Sequence, residues 1–122
     1  MGRWARRLAH ETAIHRLDAE SALAEPPATR YADVFAVDGI DEFLTFFVPR
    51  RAARQDGVVR IEAGDRAWTV VLRSGEVPAL GDGPADLTIS GSPDDVYRAL
   101  WGRPNTARMV GRVALTEPLA AP

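Results

Sequence analysis

Two periodicities divide the chain. Over residues 2–24 the composition is rich in Ala and Leu, with no internal Gly or Pro after the start, which predicts one long helix stopped by Glu25-Pro26-Pro27. At about 100° per residue, Trp4, Leu8, Glu11, His15 and Ala22 share one side of it. Arg3, Arg6, Arg7 and His10 share a second side, read as solvated surface, with contact to an anionic ligand as the lesser alternative. Residues 26–31 form a connector. Val37, Ile40, Leu44 and Phe47, with Phe43 beside them, predict a second helix over residues 32–48. Pro49 ends it, and Arg50, Arg51 and Arg54 follow where positive charge suits a helix C-terminus.

The period then falls to two. Val59, Ile61 and Ala63 alternate with Arg60 and Glu62 as in a strand, and Gly64-Asp65 makes a hairpin turn. Trp68, Val70 and Leu72 alternate with Thr69, Val71 and Arg73. Both faces of this second strand are apolar enough to predict a central strand, or one covered on both sides. Residues 77–80 predict a short third strand, 81–84 a loop, and 86–90 another strand with Leu87 and Ile89 inward. Ser92-Pro93-Asp94-Asp95 is a helix start, with Ser as N-cap, Pro at the first helical position and acids in the first turn. That helix runs to about Trp101, packs Val96 and Leu100, and stops at Gly102. Met109, Val110, Val113 and Leu115 predict a last strand, followed by a loose tail with Pro118 and Pro122. The strands cluster instead of alternating with helices. The plan is therefore α+β: an antiparallel or mixed sheet with helices on one face, preceded by a long N-terminal helix.

Composition narrows the chemistry. The 122 residues suit one domain with an appendage. Cysteine is absent, which removes disulfides, thiolate metal sites and a Cys nucleophile. Any thiol chemistry would take its thiol from a small-molecule cosubstrate. All 15 basic residues are Arg, and the net charge of −2 argues against nucleic acid as a partner. No apolar run approaches a membrane span, and the Arg-rich start leads into no signal-peptide core, so the expectation is a cytoplasmic protein without membrane partners. No GxSxG and no GxxxxGK[ST] motif occurs.

Glu11 and His15 are the candidate chemistry. Their i, i+4 spacing lets a carboxylate and an imidazole reach one metal ion. The competing reading is a structural pair, a His hydrogen-bonded to a Glu, and the spacing alone leaves both open. Phe43, Phe46, Phe47, Trp68 and Trp101 are core residues in one reading and the lining of an apolar tunnel in another.

Two segments carry a resemblance. The first runs from His10-Glu11 through His15-Arg16 and Asp18-Ala19-Glu20 to Val37-Asp38-Gly39-Ile40-Asp41-Glu42-Phe43-Leu44. The second runs from Asp86-Leu87-Thr88-Ile89-Ser90-Gly91 to Leu100-Trp101-Gly102-Arg103. In that order and spacing the chain resembles the mycothiol-dependent maleylpyruvate isomerase family of actinobacteria.

The resemblance implies two parts. Residues 1–25 match the last helix of a DinB-like four-helix bundle, and residues 26–122 match a C-terminal domain similar to sterol carrier protein 2. It implies zinc as the metal, with Glu11 and His15 as two of its ligands, and mycothiol as the cosubstrate. The reaction would be a thiol-dependent isomerisation or transfer on a small organic acid. Asp18 would orient a ligand or form a surface pair. Arg103 would hold a substrate carboxylate or be an exposed loop residue. A further His ligand belongs to bundle helices that the resemblance does not find here, and His10 lies roughly 120° away from the Glu11/His15 edge. The expectation is a partial or truncated family member. Its Trp4/Leu8 face would be covered by its own sheet domain, by a second copy in a homodimer, or by a separate bundle protein. The alternative is a non-catalytic module that binds an apolar ligand or a protein partner.

Overall fold

The computed structural model describes residues 3–23, 30–48 and 52–119. The chain divides into two compact units, residues 1–31 and 32–122. In the first, α1 (Arg3–Leu23) is an uninterrupted helix. The Tyr31 hydroxyl donates to the Ala13 carbonyl at 2.8 Å and ties the end of this unit back to α1. The helix stop at Glu25-Pro26-Pro27 lies outside the described residues.

The second unit is α+β. It begins with α2 (Asp33–Glu42), continues in a π-helical turn over Phe43–Phe47, and leads into the sheet. Strands β1 (Gly57–Ala63), β2 (Arg66–Leu72), β3 (Ala79–Leu80), β4 (Leu87–Gly91) and β5 (Arg108–Gly111) lie in the order β3-β2-β1-β4-β5. Helix α3 (Pro93–Leu100) connects β4 to β5. The sheet is mixed: β1 pairs in parallel with β4, and the other three pairings are antiparallel.

Register explains the core. Val59 faces Val70 on one side and Leu87 on the other, and Ile61 sits likewise between Trp68 and Ile89. All six are buried. Neighbouring positions point to the other face, where Arg60 and Ala67 are exposed and Glu62, Thr69, Val71 and Thr88 are half-buried. One face is therefore covered and the other meets solvent. Strand β2 is interior, as expected, but it is covered on one side only.

The covered face holds the helices. Phe35 meets Tyr97 edge-on at 6.0 Å between centroids, and the Trp68 indole donates to Asp41 at 3.3 Å. Phe43 packs edge-on against Trp101 at 5.4 Å. Phe43, Trp68 and Trp101 are thus core residues. The side chains of Phe46 and Phe47 lie outside the described residues, as do Pro49, Arg50 and Arg51.

Four sequence expectations change. The helix expected over residues 32–48 gives way to the π-turn after Glu42, where the Thr45 hydroxyl donates to the Asp41 carbonyl at 2.7 Å. The third strand is two residues long. The last strand ends at Gly111, and Val113 and Leu115 belong to a 3-10 turn over Val113–Leu119. The tail is docked through residue 119, since Leu115 and Leu119 are buried; Pro122 lies outside the described residues.

Gly111 causes the break between strand and turn. Its φ is 116°, and a Cβ there would stand 2.2 Å from the Asp86 carbonyl oxygen, which accepts from the Arg112 amide at 2.8 Å. Gly111→Ala should therefore cost more than about 1 kcal/mol of stability, through strained φ plus a backbone clash that cannot relax cheaply. Urea denaturation checks this; an unchanged midpoint would contradict it.

Candidate functional site

The short helix α3 delivers one side of the site. The Ser92 hydroxyl accepts from the Asp95 amide at 3.2 Å and caps its N-terminus. Asp94 and Arg98 form a buried ion pair at 3.0 Å, with the acid toward the N-terminus as the helix dipole favours. At the other end Gly102 has φ 71°, its amide donates to Ala99, and the Arg103 amide donates to Arg98. These two bonds are the paired C-terminal closure that a residue with positive φ permits. The chain leaves the helix with Arg103 in a fixed place.

Further bonds hold that place. The Arg103 guanidinium donates to the Trp101 carbonyl at 2.5 Å, where a cation also suits the helix end. Asn105 donates to the Arg103 carbonyl at 2.9 Å and accepts from the Ala107 amide at 2.9 Å. Asp95 accepts from the Thr106 amide at 3.0 Å and from its hydroxyl at 2.8 Å. The loop after α3 is thus bonded back to the start of the same helix.

Arg103 lines a half-open cavity of about 300 Å³. Ile89 and Met109 form its floor on neighbouring strands, Leu100 and Gly102 one wall, and Thr116 and Leu119 another. Most of that lining is apolar. Asn105 joins Arg103 as a polar group at the cavity. Such a site suits a small ligand with a carbon skeleton and an anionic end. Arg103 was expected from sequence. Asn105 and Thr116 were not, although Gly-Arg-Pro-Asn-Thr is a turn-forming run in which Asn bonds neighbouring backbone.

A second, more open groove of about 540 Å³ includes Asp56, Asp86 and Arg112. Asp56 accepts from the Ser74 amide at 2.8 Å and Asp86 from the Val58 amide at 2.9 Å. Arg112 donates to the Asp56 carbonyl. These bonds tie the sheet's ends together and account for the residues.

The other candidates stand on α1. Glu11 is half-buried, and its Oε1 accepts from the Arg7 guanidinium at 3.0 Å. His15 is exposed. Arg7 and His10 are buried together with Ile14 and Leu17, contrary to the expectation of a solvated basic face. Trp4, 77% exposed, and Leu8, 53% exposed, lie on the open side instead. Among the described residues no three His, Cys, Asp or Glu gather as a metal site would need. Asp18 is exposed on the same helix. Among the described residues no helix is long and apolar enough to cross a membrane.

A family model described as the MDMPI C-terminal domain matches residues 34–121. The match covers the whole cavity, and α1 lies outside it. No curated protein matches the chain.

Asp95→Ala should release the loop that carries Arg103. The expected loss is about 1–2 kcal/mol, with faster amide exchange at Thr106 than at core amides such as Ile61. Hydrogen exchange followed by NMR checks this, and unchanged protection at Thr106 would contradict it.

Proposed function

The chain belongs to the MDMPI C-terminal domain family, and from that premise we propose that its sheet unit receives a small organic acid for a maleylpyruvate-isomerase-like reaction. One observation carries the reading: Arg103 shares its cavity with Ile89, Leu100, Met109 and Leu119. A guanidinium offers five donors in a planar fork that matches a carboxylate. The apolar wall accommodates a short carbon chain, and a volume near 300 Å³ is at the small end of ligand sites, which favours a small acid over a lipid. The tunnel reading is less favoured, because Phe43, Trp68 and Trp101 are consumed by core packing.

In the fuller reading the reaction is thiol-dependent and mycothiol is the cosubstrate. The absence of cysteine accords with a thiol that arrives as a small molecule. Glu11 and His15 are then two ligands of a divalent metal, zinc by the family resemblance. Two donors fall short of the three or four that zinc takes from protein, so the remainder must come from beyond the described residues of one chain.

Titration calorimetry with maleate tests the anion site. Arg103→Ala should weaken binding at least about tenfold, because a charge-assisted bond is worth about 1.5–3 kcal/mol. Arg103→Lys should fall between, since it keeps charge and loses the planar fork. Equal affinity in all three proteins would overturn the assignment.

A further inference from the structure

The three polar residues of the Arg103 cavity differ in what each can still exchange with a ligand. Arg103 carries donors and no acceptor. Asn105 donates through its amide nitrogen to the Arg103 carbonyl and accepts through its oxygen from the Ala107 amide, both at 2.9 Å. Those two bonds fix which end of the side chain is which, and they leave it one N–H and one lone pair. Thr116 lines the same cavity from the C-terminal 3-10 turn. Its hydroxyl has a single proton, and that proton is directed to the Val113 carbonyl at 2.8 Å within the turn. Thr116 therefore offers a ligand lone pairs only.

We propose that the acid received by this cavity carries a hydroxyl at the end away from its carboxylate, and that Thr116 accepts the hydrogen bond of that hydroxyl while Arg103 holds the carboxylate. This rests on the anion reading of Arg103 and deepens it by assigning the second end of the ligand. The cavity is polarised: donors come from the loop after α3, and an acceptor comes from the C-terminal turn. A ligand that matches both must present acceptors at one end and a donor at the other. An ionised carboxylate or a ketone set against Thr116 would place acceptor against acceptor. An ammonium would donate, but among the described residues no Asp or Glu lines the cavity to balance a second cation beside Arg103. A neutral hydroxyl is the donor that fits. Between the two ends, Ile89, Leu100, Met109 and Leu119 face the carbon chain.

The gain from this contact is set by solvent. Thr116 is half-buried, so water satisfies its lone pairs when a ligand without a hydroxyl binds. The preference is therefore that of one neutral hydrogen bond, about fivefold, and not the far larger rejection that follows when a buried acceptor is left bare.

Titration calorimetry with two pairs of acids tests this: butyrate against γ-hydroxybutyrate, and hexanoate against ω-hydroxyhexanoate. In the pair whose length spans the cavity, the hydroxy acid should bind about fivefold tighter than its parent. Thr116→Val, close in shape but without the oxygen, should bring the hydroxy acid down to its parent's affinity. Thr116→Ser, which keeps the oxygen, should retain the preference. No preference in either pair would overturn the inference, as would a preference that persists in Thr116→Val. If the parent acids bind and lose affinity in Arg103→Ala while the hydroxyl gains nothing, only this inference falls. If no acid binds, or binding is indifferent to Arg103→Ala, the anion reading falls and the inference with it.

Discussion

An eight-residue helix is too short to hold its own shape in water, and α3 keeps it because both ends are fixed by side chains and turns. Ser92 caps the start, and Asp95 in the same first turn grips Thr106 beyond the far end. Gly102 closes the last turn through its positive φ. The helix and the loop after it therefore form one closed ring of hydrogen bonds, laid on β1 and β4. The position of Arg103 depends on this closure. So does the cavity, since Leu100, Gly102, Arg103 and Asn105 are all part of the ring or its immediate continuation.

The sheet supplies the other half. Parallel pairing of β1 with β4 puts Ile89 next to Ile61 at the centre of the core, and β5 adds Met109 beside Ile89. Gly111 then turns the chain so that the 3-10 segment brings Thr116 and Leu119 to the cavity. A rigid floor, a fixed cation and a docked C-terminal turn would leave the proposed small anion little ordering cost on binding.

Features with local signals could be read from the sequence. Alternation gave β1 and β2, Gly64-Asp65 gave their turn, and Ser92-Pro93-Asp94-Asp95 with Gly102 bracketed α3. The cavity could not be read, because its lining comes from segments near residues 89, 99–105, 109 and 116–119 that only the fold assembles. The π-turn at Phe43 keeps helical periodicity and so looks like more α-helix. On α1 the sequence offers two stripes of similar spacing, Trp4/Leu8 and Ile14/Leu17, and periodicity alone does not say which is buried. The structure buries Ile14 and Leu17, and carries Arg7 and His10 inward with them. That leaves His15 exposed and Glu11 half-buried beside Arg7.

The account centres on a carboxylate held by Arg103, and the most direct measurement is an NMR titration with maleate that follows the Arg103 Nε–H resonance. The account predicts a saturable downfield shift of that proton, together with shifts confined to the amides of Gly102, Asn105, Met109 and Thr116. A silent Arg103 resonance, with changes gathered in another part of the molecule, would contradict it.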